Sequence, residues 1–142
     1  MAIENGTDIV IQMKPVSSGS YKTVYGLTSN AAQISRALRD TTTKQSGGWK
    51  AQEFGLGEGS FSLECKYDPA ADGATYYKWS DFLTALTGKT KLLAKFTDSV
   101  SGHTQITATV LVVNAPITAP LEDNATFTVE LSWDGAPTID TV

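Results

Sequence analysis

The sequence predicts a mainly β protein of antiparallel sheets, sandwiched or curled, with one amphipathic α-helix and a long inter-strand loop. Three observations carry this expectation. Apolar and polar residues alternate along several separate stretches, the period of half-buried strands. A single stretch has its apolar residues at helical spacing instead. Between two of the alternating stretches lies the polar run "DTTTKQSGGWKA", residues 40–51, with two glycines and a tryptophan at its centre.

Taken in order, "TDIVIQMK" sets Ile9, Ile11 and Met13 on one face, and the turn-rich "PVSSGS" follows. "YKTVYGL" then aligns Tyr21, Thr23, Tyr25 and Leu27. "NAAQISRALRD" reads as either a weak strand or a short helix, and residues 40–59 read as a loop, with "GLGEG" at 55–59 as the turn that launches the next strand. Loops beyond about 12–15 residues in a compact domain usually carry function or are disordered. "SFSLECKY" alternates Phe61, Leu63, Cys65 and Tyr67 against Ser60, Ser62, Glu64 and Lys66. "TYYKWSDFLTALTG" places Tyr76, Trp79, Phe82, Leu83 and Leu86 at helical spacing, with Thr75 as N-cap and Gly88 at the C′ position. After "TKLLAKFT", the stretch "TQITATVLVV" sets Ile106, Ala108, Val110 and Val112 against Gln105, Thr107 and Thr109. "NAPITAP", residues 114–120, connects it to "ATFTVELSW", where Phe127, Val129, Leu131 and Trp133 oppose Thr126, Thr128, Glu130 and Ser132. Strands with one polar side belong to antiparallel sheets with one wet face.

Composition excludes several classes. The 142 residues are expected to form one domain, and no apolar run approaches the roughly 20 residues of a membrane span. The N-terminus shows no secretory signal pattern, so the cytoplasm of the producing cell is the expected site of synthesis. The net charge of −4 argues against a conventional nucleic-acid binder. All eleven basic residues lie at or before Lys95, whereas Asp98, Glu122, Asp123, Glu130, Asp134 and Asp140 follow it. Either this is a solubility pattern, or subunits meet with opposite ends facing. The one cysteine, Cys65, can form no intrachain disulfide and reads as a core residue. The one histidine, His103, lies in "DSVSGHTQ" with no nucleophile elbow near it, and "GLGEG" lacks the strand-to-helix context of a phosphate loop. No catalytic, cofactor or metal site is expected.

"NGTDIVIQ", "GLTSN", "DTTTKQSGGWKA", "GEGSFSLECKYD" and the closing "APITAPLEDNATFTVELSWDGAPT" together resemble the major tail tube proteins of long-tailed bacteriophages. The resemblance covers essentially the whole chain, and its most specific piece is the Thr-Thr-Lys-x-Ser-Gly-Gly-Trp run. It implies a structural virion protein, not an enzyme: one tail-tube domain over residues 1–142, without cofactors and without an appended immunoglobulin-like domain. Such protomers form hexameric rings that stack into a hollow tube, meeting initiator or distal tail proteins at one end and a terminator at the other. Double-stranded DNA passes through the lumen without specific binding. The resemblance implies that the long loop reaches a neighbouring ring, making Asp40, Thr41, Thr42, Thr43, Lys44, Ser46, Gly47, Gly48, Trp49 and Lys50 the candidate inter-subunit contacts. The candidate lumen-facing residues are Gln105, Thr107, Thr109, Thr126, Thr128 and Glu130, or alternatively the Ser60, Ser62, Glu64 and Lys66 row. With four inner strands from each of six protomers, about 24 strands at ~4.8 Å give an untilted backbone diameter of roughly 37 Å. The alternatives are a tube protein of a related injection machine or gene-transfer particle and, from another class, a carbohydrate-binding β-sandwich. The last needs an exposed coplanar aromatic strip, yet Trp79 and Trp133 sit in core stripes.

Overall fold

In the computed structural model, which describes residues 5–16, 19–69 and 73–142, the alternating stretches become strands. In chain order the elements are β1 (Val10–Pro15), β2 (Lys22–Val24), β3 (Leu27–Asp40), β4 (Gln52–Lys66), β5 (Tyr76–Tyr77), α1 (Trp79–Thr87), β6 (Leu92–Thr97), β7 (Thr104–Asn114), β8 (Ile117–Thr118), β9 (Thr126–Trp133) and β10 (Thr138–Thr141). They form one curled sheet in the order β3-β4-β9-β7-β6-β1-β2-β5, with β10 added to β7 and β8 to β9. Pairing is antiparallel except where β2 meets β5. The centre of the turn-rich segment, residues 17–18, lies outside the described residues.

The apolar rows read from the sequence supply the core. Ile11 and Met13, Phe61, Leu63 and Cys65, Ala108, Val110 and Val112, and Phe127, Val129 and Leu131 are buried in one cluster. Burial pushes the Cys65 thiol up to about 12, with the neighbouring Glu64 charge adding to the effect, so the group is an inert core residue. The stretch around β2 departs from expectation. Its buried residue is Val24, of the opposite parity to Tyr21, Thr23 and Tyr25, and the strand stops at the turn through Gly26. Gly26 sits at φ +75°, where a Cβ would lie 2.3 Å from the Lys66 carbonyl oxygen, so this position requires glycine.

The helix begins later than the sequence suggests. Thr75 precedes β5, whose Tyr77 is buried, and the N-cap is Lys78, whose amide donates to Asp81 Oδ2 at 3.0 Å. Gly88 stays right-handed at φ −82°, and the left-handed residue after the helix is Lys89 at φ 55°. Phe82 and Ala85 face the core, while Trp79 Nε1 donates to the Ala115 carbonyl at 2.9 Å. That bond fastens α1 to the β7–β9 connection read from "NAPITAP".

Candidate inter-subunit surfaces

The largest correction concerns residues 31–59. "NAAQISRALRD" is a strand, and β4 starts at Gln52, so the expected 40–59 loop contracts to a connection of residues 41–51 at the end of a long β3–β4 hairpin. "GLGEG" is therefore strand, not a turn. Gly59 faces the Trp133 ring, where a Cβ would fall 2.2 Å from Cε3, and a Cβ on Gly55 would meet the Ala37 carbonyl oxygen at 3.2 Å. Glycine is depleted in strands generally, and here it admits a ring and a neighbouring backbone.

The hairpin leaves the core at Phe61 and runs outward as an arm. Residues 31–40 are all exposed. Ala32 pairs with the buried Phe61, so the even positions of β3 carry the core-side face onward through Ile34 to Leu38, which pairs with Phe54. A register shift between Arg36 and Leu38 places the extra residue on β4. Ile34 (58%), Leu38 (56%) and Phe54 (72%) are exposed there, and Leu56 is more so. Sequence reading did not single out these residues as candidate contacts. The available signal was the apolar pair Leu38 and Phe54 flanking the polar run, hidden by leaving "NAAQISRALRD" as strand or helix and reading the start of β4 as loop. An exposed apolar row of this kind marks an interaction surface. Arg39 and Glu53 form an ion pair at 3.3 Å, exposed and worth at most about 1 kcal/mol.

The ten residues expected to make contacts all lie at the arm's tip, and the tip is built by its own polar groups. Thr41 N donates to the Ala51 carbonyl at 2.9 Å, and Thr42 Oγ1 accepts from Ala51 N at 2.8 Å. Asp40 Oδ1 accepts from Thr42 N at 2.9 Å, and hydrogen bonding by Thr42 holds the Asp40 carboxyl below its usual range. Thr43 and Ser46 cap a short 3₁₀ turn reciprocally, Thr43 N donating to Ser46 Oγ at 3.0 Å and Ser46 N to the Thr43 carbonyl at 3.0 Å. Gly47 (φ 69°) and Gly48 (φ 84°) then reverse the chain in left-handed conformations. The threonines act as fasteners and the glycines as the turn. Trp49 is left 81% exposed, so it does not fold back onto its own core, and Lys44 and Lys50 are exposed beside it.

The candidate lumen residues all lie on the side of the sheet away from the core, since Leu111, which shares its parity with Gln105, Thr107 and Thr109, pairs with Ser132. Ser60 pairs with Ser132, Ser62 with Glu130, Glu64 with Thr128 and Lys66 with Thr126. The two rows between which the sequence left the choice open are thus one polar face. Ser29, Ser62, Glu64, Thr128 and Glu130 border a common shallow depression on it. Gln105 and Thr107 lie elsewhere on the sheet, at the half of β7 that pairs with Asp140 and Thr138 of β10. Thr109 pairs with Leu93 of β6.

His103 lies against Asp98 at the turn before β7, where the His103 carbonyl also accepts from Val142 N at 2.9 Å. The hydrogen bond from His103, followed by that from Val100 N, holds the Asp98 carboxyl below its usual range. This is a fastening of the C-terminal strand. No group of three or more His, Cys, Asp or Glu able to hold a metal occurs among the described residues, and none of their helices is long and apolar enough to cross a membrane.

The described residues thus form a curled, almost wholly antiparallel sheet whose main exposed features are a hairpin arm and one broad polar face. A model of the phage tail tube protein family matches residues 3–139, and the chain belongs to that family. It is accordingly a structural virion protein. No curated protein sequence matches it. Among solved structures, it resembles the tail of an empty gene transfer agent particle, refined with C6 symmetry, at a TM-score of 0.80 and 17% identity, covering 98% of this chain and 100% of that one. It also resembles the SPP1 tail tube at a TM-score of 0.77 and 10% identity, covering 97% of this chain and 79% of that one. An anti-feeding prophage baseplate chain matches at a TM-score of 0.63 and 10% identity, covering 100% of this chain and 97% of that one. At these identities the likeness is one of fold.

Proposed function

We propose that the chain is the single-domain repeating subunit of a hollow tube of stacked six-membered rings, and that double-stranded DNA passes through the lumen without specific binding. The observation that carries this reading is the β3-β4-β9-β7 run of the sheet. It has one face on the core and the other largely polar, and it continues into an arm whose core-side row is left exposed among the described residues. Laid side by side, six such four-stranded runs give the roughly 24 strands and ~37 Å backbone diameter estimated above from strand spacing. The polar β4–β9 face lines the lumen. Its exposed residues are short serines and threonines with Glu64 and Glu130, which repel phosphate at close range, and Lys66 at its end is the one cation among them. The apolar arm row packs on a neighbour, and tail initiator and terminator proteins close the two ends.

The test is electron microscopy of concentrated purified protein, with and without tail initiator components, combined with cysteine labelling. A thiol introduced by Thr128→Cys should react with a bulky maleimide in free protomers and resist it in assembled tubes. Persistent monomers under all conditions contradict the tube. Tubes labelled as fast as protomers remove the β4–β9 face from the lumen.

A further inference from the structure

The arm tip and the loop of residues 119–125 lie at opposite ends of the same strand. The tip closes the hairpin at Gln52, the first residue of β4, while Tyr67 N, just past the last residue Lys66, donates to the Ala125 carbonyl at 2.9 Å. Fifteen residues of strand separate them, on the order of 50 Å at ~3.3 Å each, so the two cannot meet within one chain. Each end presents an exposed large apolar side chain with charges of one sign next to it in the chain, Lys50 beside Trp49 and Glu122 and Asp123 beside Leu121. At the tip, Trp49 is 81% exposed between Lys44 and Lys50; below it Arg36 and Arg39 balance Asp40 and Glu53, Arg39 pairing with Glu53, so the two lysines leave the tip net positive. At the far end, Leu121 is 93% exposed, directly followed by Glu122 and Asp123. Lys66 and Asp68 beside that loop carry opposite charges, and the Asp68 carboxylate accepts from Tyr25 Oη at 3.2 Å.

We propose that the arm tip of one copy docks on the 119–125 loop of the next copy along the tube, Trp49 covering Leu121 while Lys44 and Lys50 face Glu122 and Asp123. The proposal rests on the tube reading above and names the receiving surface within it. Two different patches on opposite ends make a heterologous contact, which propagates in one direction and does not close on itself, as a stack of rings requires. Complementary charge steers the encounter and fixes its polarity, and apolar cover supplies the holding energy. The loop is shaped for presentation: Glu122 takes a left-handed φ of 60°, and Asn124 N donates back to Asp123 Oδ1 at 2.7 Å.

Charge reversal and cross-linking test this on the full chain. The Lys44→Glu/Lys50→Glu variant and the Glu122→Lys/Asp123→Lys variant should each slow tube growth about tenfold or more at low salt, the size of effect that steering charges have on association. The four changes combined should restore growth. With Ser46→Cys and Asp123→Cys in one chain, oxidised tubes should give ladders of disulfide-linked protomers, and free protomers none. If the unaltered chain forms no polymer, the tube reading and this docking fall together. If it forms tubes but reversal at Glu122 and Asp123 leaves growth unchanged, or the combined variant is not rescued, or no ladder forms, the docking alone is overturned.

Discussion

Replacing Trp49 by alanine separates folding from assembly. The side chain is 81% exposed, so its removal deletes almost no intramolecular contact, and surface changes of this kind stay within about ±0.5 kcal/mol. The backbone of the tip is held independently of it, through Thr41, Thr42, Thr43 and Ser46. In the tube, a tryptophan covered at an interface buries roughly 150–250 Å², and truncating such an anchor commonly costs about 2 kcal/mol or more. That corresponds to a roughly 30-fold higher protein concentration for half-assembly, at ~1.4 kcal/mol per tenfold. The comparison variant is Leu131→Ala. This residue is 0% exposed, and its truncation should cost the protomer about 2–5 kcal/mol. Urea midpoints report the protomer, and light scattering against concentration reports assembly. Trp49→Ala should match wild type in the first assay and fail in the second. A marked drop in the urea midpoint, with assembly unchanged for the folded fraction, would refute the reasoning.

Further expectations follow from single positions. Gly26→Ala, with its Cβ 2.3 Å from the Lys66 carbonyl oxygen and φ at +75°, should destabilise the protomer by more than the ~1 kcal/mol of an ordinary glycine substitution, read as a fall in Tm. Gly59→Ala should displace the Trp133 ring, shifting tryptophan fluorescence and costing about 1–3 kcal/mol, the range for overpacking. Cys65, whose pKa is pushed up to about 12, should resist thiol reagents at pH 8 in the folded protein and react promptly in denaturant; fast labelling without unfolding would contradict its burial. Because the folded Asp98 carboxyl titrates below its ordinary value of about 3.9, its contribution to stability is present above that pH and fades as pH falls through the folded value. Urea midpoints of wild type and Asp98→Asn should therefore converge on acidification from pH 6 to pH 3, and a constant gap would argue against the His103 contact.

Alternation by itself determined the core rows of β1, β4, β7 and β9, the presence of one helix and the inert character of Cys65, because burial on one side writes a period into a strand. The same logic explains where it failed. The alignment of Tyr21, Thr23, Tyr25 and Leu27 did not reveal Val24 as the buried residue, because β2 spans only Lys22–Val24, too short for a period to declare itself among amphipathic tyrosines. Lys78 replaced Thr75 as N-cap because Tyr76 and Tyr77 are taken by a two-residue parallel pairing with β2, a long-range event with no local signature. The composition of the tip was legible as an exposed polar connection, but its geometry was not. Joining the β4 and β9 polar rows into one face, and placing Gln105 and Thr107 further along β7 beside β10, depended on strand order, which local pattern does not encode. The arm was the deepest gap. Its strands are exposed on both sides in the single chain, so no burial within the protomer imposes a period on residues 31–40 and 52–58. Only the register with β4, continued outward from the buried Phe61, shows that Ile34, Leu38 and Phe54 extend the core-side row beyond the core.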